Sequence, residues 1–443
     1  MFFDYRKTAR LSCSYLRRMR SFFATGLLFL STLLHSQSIA ELRKKSDTYL
    51  NFRGSLNAYL RFGTNSIALL NGGKPEFTAY TDEFETLARL LETQKAEDFL
   101  MIYQWKKNTH LNRSQLDSLL AGKPVVAMPV YKQTALKGRK IAIDPGHFAG
   151  NMQTARIEQK FIEFMPSAAN ALKDTIRFNE GSLTFQTAQI VRQLLLEQGA
   201  TVMLTRPKQN YTSFQVSYDE WLAKRKKTVL DSLLKAGAMD AKRHARLSAL
   251  NQEKLFWEFF RDFELAERAR QINRFAPDAT IIIHYNVDEK NTDWLNPVDK
   301  NFTMAFIGGG MTGDNFSKTL NKVHFLRLLL TQQLQGSELL SALTVKQFSS
   351  TMGIPAAKQT DADYLRDNCL KTPSEGVFCR NLALCRTVNS VLVYGECLYQ
   401  DNLEECKRLN VCDYTFHGQE VPKRIYEAAL CYFNAINEYF SKP

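Results

Sequence analysis

The chain has 443 residues, of which 44% are hydrophobic and 23% charged, enough for two domains and a targeting segment. That composition excludes disordered and collagen-like classes. The formal charge of +13 suits an anionic polymer such as cell wall, while the absence of any nucleic-acid-binding motif removes nucleic acid as an expected partner.

Residues 1–40 carry six basic residues and one acid, Asp4. Arg17, Arg18 and Arg20 precede the apolar run Ser21–Leu34, and small and polar residues follow in His35–Ala40. A basic start, a short apolar core and a small-residue exit predict a signal peptide, with Ser38 and Ala40 at the cleavage positions. The run is too short to serve as a stable membrane anchor. The mature protein is therefore expected in the periplasm or the medium.

Residues 41–137 read as a small α+β accessory domain, with a helix near Asp82–Lys95 and turns at Asn71–Lys74 and Gly122–Pro124. From Gly138 strands alternate with helices. Lys140–Asp144, Thr201–Thr205, Thr280–His284 and Ser390–Val393 read as short apolar strands, and Leu183–Gln198 as an amphipathic helix stopped by Gly199. This order predicts an α/β fold, a mostly parallel sheet with helices on both faces, over residues 138–443. Residues 218–261 are densely charged with a helical period. They predict one or two long helices projecting as an insertion, dispensable for the fold, acting as a solvated hairpin or as a lid or docking arm.

Cys13 would leave with the signal peptide, and the other seven cysteines fall between Cys369 and Cys431 without a C-x-x-C pair. In an exported protein such a cluster predicts disulfides, with at least one thiol left over.

In open α/β sheets ligands collect beyond the carboxyl ends of the strands. His147 follows the first strand through Asp144-Pro145-Gly146, His284 ends a later strand, Glu396 follows the last, and Glu180 precedes the helix. Two histidines, a carboxylate and an open position make a catalytic zinc site, and a second carboxylate can move the proton. On spacing alone a hydrogen-bonded structural role is the commoner one for each histidine, because no H-E-x-x-H helix is present.

The wording around these residues is more specific. Lys140–His147 (KIAIDPGH), Thr187–Arg206, Glu267–Asn286 with Arg268, Asn273, His284 and Asn286, and Ser390–Asn402 resemble, in order, four blocks of the zinc-dependent N-acetylmuramoyl-L-alanine amidases. The resemblance implies a Zn2+ ion held by His147, Glu180 and His284, Glu396 as catalytic base, and Asn286 against the substrate. It implies a hydrolase of peptidoglycan that cleaves the amide between N-acetylmuramic acid and L-alanine by zinc-activated water, and leaves room for an activating protein partner. Leu111–Val130 separately resembles the last part of a LysM wall-binding repeat; a structural accessory role is the alternative.

Three positions depart from the amidase pattern. Phe148 and Ala149 replace small glycines after the histidine. An insertion near Asn151–Asn179 brings Glu158 and Glu163 in as alternative ligands. Tyr394 stands where the glutamate usually falls, two residues before Glu396 and on the same strand face. An inactive wall-binding protein on the same fold and a zinc peptidase acting on stem peptides remain as other readings.

Overall fold

The computed structural model describes residues 38–441 except 94, 122–135, 168–169, 171 and 293–295. The expected signal peptide and the strand of Leu111–Val130 therefore lie wholly or mostly outside the described residues. From Ile39 onward the chain forms one compact unit. No described helix is long and apolar enough to cross a membrane.

The centre is a seven-stranded mixed sheet. Its order is Leu370–Lys371, Val377–Cys379, Met304–Ile307, Val391–Tyr399, Ala279–Asn286, Lys140–Pro145 and Thr201–Leu204. The last four run parallel to one another, as their alternation with helices predicts. Met304–Ile307 is antiparallel to Val391–Tyr399. The parallel strands read as near-continuous apolar runs because both faces are covered. Helices Glu180–Glu197, Gln333–Met352 and Lys423–Ser441 pack together on one face. Helix Arg261–Phe275 and the short helix Ala383–Thr387 cover the other, over Ala142, Ile282, Phe306 and Leu392.

The N-terminal segment forms a three-stranded antiparallel sheet, Leu60–Phe62, Ser66–Asn71 and Lys74–Tyr80, with helices Ile39–Lys45, Phe84–Thr93, Ala96–Lys106 and Arg113–Leu120. Its core residues Leu50, Leu69 and Phe77 belong to the same apolar cluster as Phe325 and Leu329 of helix Thr319–Leu330 and Ile143 and Ile283 of the central sheet. The seam is also polar. Lys322 pairs with Glu76, and the Tyr49 hydroxyl donates to Glu338 at 2.6 Å.

The charged stretch differs from its expected form. Instead of one or two long projecting helices it folds as four short ones, Tyr218–Lys224, Lys226–Lys235, Ala241–Ala249 and Gln252–Leu255, ending in a π-helical turn at Phe256–Phe260. They enclose an aromatic core of their own, with Tyr218, Trp221, Phe256, Phe259 and Phe260 buried. The charges stay outside, Lys227 being 90% exposed. Periodicity alone does not distinguish an amphipathic hairpin from a small folded subdomain.

The expected disulfides are a second correction. All seven cysteines are free thiols, and all but Cys412 are buried. They behave as small apolar core residues. The thiols of Cys385, Cys406 and Cys431 point at backbone carbonyls of Phe306, Gln400 and Gln347. Cys397 lies 3.2 Å from the Tyr432 hydroxyl. Spread over different elements, they cluster in sequence without pairing in space.

Candidate metal centre and active site

Strand Lys140–Pro145 delivers the chain to the carboxyl edge of the sheet, where Gly146 and His147 turn it out. Gly146 has no room for a side chain, since a Cβ there would lie 2.3 Å from the His284 ring. His147 adopts a left-handed φ of +54°, a strained conformation for any residue but glycine. Two buried arginines hold this turn. Arg268 donates to the carbonyls of Pro145 at 2.9 Å and His147 at 3.2 Å, and pairs with Asp144 at 3.3 Å and Glu264 at 2.7 Å. Arg206 donates to the Pro145 carbonyl at 3.1 Å and the Gly181 carbonyl at 3.3 Å. Burial and the neighbouring Arg268 bring the Arg206 guanidinium down to about 9. The Thr205 hydroxyl donates to Asp144. The DPGH segment is thus fixed by charges read from three separate sequence blocks.

Glu180 opens its helix, with Asn179 as the cap accepting from the Ser182 N–H at 2.9 Å. Its carboxylate is 1% exposed and sits between the two histidines. One oxygen lies 3.4 Å from His147 Nε2, the other 3.0 Å from His284 Nδ1. The Tyr285 N–H and the Gln400 amide donate to it at 3.2 and 3.1 Å. Burial would raise this carboxyl, but His147, Lys160 and His284 outweigh it and hold it well below the ordinary carboxylate range.

One donor atom from each of His147, Glu180 and His284 lies within 4.8 Å of the others. Ligands at tetrahedral zinc stand roughly 3.4 Å apart, so both histidine–carboxylate distances fit that ion with little movement. The donor set, two imidazoles and one carboxylate, is that of catalytic zinc sites. Among the described residues no other group of three such side chains converges in this way.

Glu158 and Glu163 separate clearly. Glu158 is buried behind His147, 3.2 Å from Nδ1, and accepts the N–H groups of Phe148 and Ala149 at 3.2 and 2.8 Å. Burial would raise its carboxyl, but those contacts keep it below its usual value. Glu163 lies on the hairpin Phe161–Phe164/Ile176–Asn179, paired with Arg156 and Arg177 away from the trio.

Phe148 also finds its explanation. It points into the aromatic core of the helical insertion, with the rings of Tyr218, Phe256 and Phe260 at 5.9, 5.9 and 5.8 Å. A glycine there would leave the insertion without its anchor.

Glu396 pairs in register with His284 on the adjacent parallel strand. A bulge follows it before Tyr399 pairs with Asn286. Tyr394 stacks on the His284 ring at 4.5 Å and 6°. Burial pushes the Glu396 carboxyl up to about 7, with Glu180 adding to the rise and His284, Lys160 and Arg380 opposing it. The Asn286 amide donates to the Tyr364 hydroxyl at 2.9 Å rather than facing the trio. Sequence reading missed Gln400, which lies just beyond the closing strand, and Lys160, 3.9 Å from Glu180, whose insertion follows no recognisable pattern.

The sequence profile of Amidase_3, N-acetylmuramoyl-L-alanine amidase, matches residues 141–428. No curated protein matches the chain. Several solved structures are similar to the chain at low identity and low TM-score. Ami1 from Mycobacterium smegmatis is 13% identical with a TM-score of 0.37, over 69% of this chain and 98% of that one. The CwlD amidase from Clostridioides difficile, solved in complex with the GerS lipoprotein, is 14% identical with a TM-score of 0.35, over 69% and 99%. The AmiC2 amidase of Nostoc punctiforme is 11% identical with a TM-score of 0.34, over 69% and 99%. The four sequence blocks and the profile span the same region, and the chain belongs to the N-acetylmuramoyl-L-alanine amidase family of peptidoglycan hydrolases.

Proposed function

We propose that this amidase is zinc-dependent, with His147, Glu180 and His284 as ligands and Glu396 as general base. The observation that carries the reading is the convergence of the three donors at the sheet edge, with Glu396 next to His284 in register. When bound, zinc polarises a carbonyl oxygen and acidifies water. The chain's own groups supply the rest. Glu180 is locked by the Tyr285 N–H and Gln400, and His147 by Glu158, so both present fixed donor atoms. Glu396 takes the proton of the attacking water and returns it to the leaving amide nitrogen. Its raised carboxyl is matched to a group that must both accept and release a proton near neutrality. Asn286, two residues beyond His284 on the same strand and held by Tyr364, is the proposed substrate contact.

The same reading has the protein exported with residues 1–40 removed, since its substrate lies outside the cytoplasm. Digestion of purified sacculi, with products identified by mass, tests the whole. Release of intact stem peptides, abolished by a chelator and restored by zinc, is expected. Cleavage within the stem would replace the amidase by a peptidase. No cleavage under any condition would favour the inactive wall-binding protein.

A further inference from the structure

The insertion before Glu180 brings a cation to the metal centre. Helix Met152–Glu158 ends at Gln159, whose left-handed φ of +53° turns the chain. Lys160 follows. Its N–H donates to the Ala155 carbonyl at 2.9 Å, and its carbonyl accepts the Glu180 N–H at 3.1 Å. The backbone of Lys160 is therefore bonded to that of a proposed metal ligand. The side chain reaches the same residue. Its Nζ lies 3.9 Å from the Glu180 oxygen that stands 3.4 Å from His147 Nε2.

The trio is covered on its other sides. Glu158 stands behind His147 at Nδ1, Gly146 lies against the His284 ring, and the Tyr285 N–H and the Gln400 amide hold Glu180. The side chains of Glu180 and His284 are 1% and 10% exposed, those of His147 and Lys160 20% and 29%. Lys160 thus stands with His147 at the solvent-facing rim, where a substrate must enter. It also opposes the rise of the Glu396 carboxyl, so one cation faces both the trio and the proposed base. Arg206 and Arg268 differ from it, being buried and turned to the carbonyls of Pro145, His147 and Gly181.

The chemistry needs a donor at this place. When the oxygen of water adds to the scissile carbonyl carbon, an electron pair of the carbonyl bond moves to the carbonyl oxygen, which becomes anionic. When the carbon–nitrogen bond breaks, that pair returns, and the nitrogen leaves with the proton that Glu396 carries. A donor already in place at that oxygen lowers the barrier with no reorganisation during the reaction. An ammonium has three N–H donors, so Lys160 can hold Glu180 and still give a bond to the oxygen, keeping all its protons throughout.

We propose that Lys160 is a further catalytic residue, its ammonium donating a hydrogen bond to the oxygen of the scissile carbonyl as that oxygen becomes anionic. This rests on the amidase reading above and adds a residue to that same site. Removing one such donor costs roughly 10²–10³-fold in kcat.

The test uses the full-length, zinc-supplemented protein, a synthetic muramyl peptide, and an analogue of it with a phosphinate in place of the scissile amide. Lys160→Met should lose kcat by that factor with KM little changed, and Lys160→Arg should keep part of the rate. The phosphinate should bind Lys160→Met more weakly in proportion to the fall in kcat/KM. Zinc affinity of Lys160→Met, from competition with a chromophoric chelator, should be no weaker than that of the wild type, because a cation beside the site opposes a metal ion. In a crystal structure of the wild type with the phosphinate, Nζ should lie within hydrogen-bond distance of a phosphinyl oxygen. Zinc affinity falling together with the rate would make Lys160 a positioning residue for Glu180 and overturn the proposal. So would a parent kcat in Lys160→Met, or an amine that touches only Glu180 in the phosphinate complex; the amidase reading survives each of these. A wild type that cleaves no muramyl peptide overturns the amidase reading itself, and the proposal with it.

Discussion

The carboxylate of Glu158 lies 3.2 Å from Nδ1 of His147 and at the same time caps the N–H of Ala149 at 2.8 Å. It thus fixes both the ring and the backbone of one member of the trio without joining it. Partners of this kind typically account for 10- to 100-fold in metal affinity. Glu158→Gln should fold and bind zinc that much more weakly, as measured by competition with a chromophoric chelator. Affinity equal to the wild type would reduce Glu158 to a turn cap.

For Glu396 the expectation is a split between metal and rate. Glu396→Gln should keep its zinc by elemental analysis, since the trio is complete without it. It should lose on the order of 10²–10⁴-fold in cleavage of peptidoglycan. Cleavage at the parent rate would remove Glu396 from the mechanism. His147→Ala or His284→Ala should instead lose the metal.

Phe148 joins the metal turn to the helical insertion, and its ring is buried among Tyr218, Phe256 and Phe260. Phe148→Ala should cost about 3–5 kcal/mol in unfolding free energy, as core phenylalanine truncations do. Replacing residues 218–260 by a short linker should give a protein that aggregates unless Phe148 is also made polar. On that outcome the segment is not the dispensable arm that its charge suggests. A soluble, fully stable deletion with Phe148 intact would contradict this.

Lys45 is buried in the N-terminal helix, donating to the Thr331 carbonyl, and burial lowers its amine to about 7. Between about pH 7 and the ordinary lysine value of 10.5 the unfolded chain binds a proton that the folded one does not. Stability from this group therefore rises with pH across that window and levels off below it. At pH 7 the penalty is on the order of 4 kcal/mol before the hydrogen bond is counted. Lys45→Met should raise the melting temperature at pH 7 and show little gain near pH 10.5. Equal gains at both pH values would mean that the amine stays charged in the folded protein.

The strands that carry the site were legible because each is a short apolar run ending in a chemically distinctive residue. Lys140–Pro145, Ala279–Asn286 and Val391–Tyr399 lie where the sequence places them. Glu180 was legible from its place before an amphipathic helix. Met304–Ile307 escaped because an antiparallel strand inserted into a parallel sheet breaks the alternation that reveals the others. Glu158 could be named but not placed, since a carboxylate in an unpatterned insertion carries no sign of whether it meets the metal or the histidine behind it. Gln400 meets Glu180, a neighbour far away in sequence, and nothing local marks it. The cysteines mislead because thiols clustered along the chain, some of them neighbours in the core, remain unbonded.

The apolar cluster shared by the N-terminal sheet and the central sheet carries a mechanical consequence. A wall-binding module on a tether would let the catalytic region swing while the module held its ligand. Here Phe77 and Leu69 are packed into the same mass as Phe325 and Ile283, so the two regions form one compact unit. A single proteolytic nick between Leu120 and Leu136 should leave both fragments associated through gel filtration and melting together in one transition. With no tether between them, a ligand held on the N-terminal surface would have to lie at the distance from the active site that this shared packing sets.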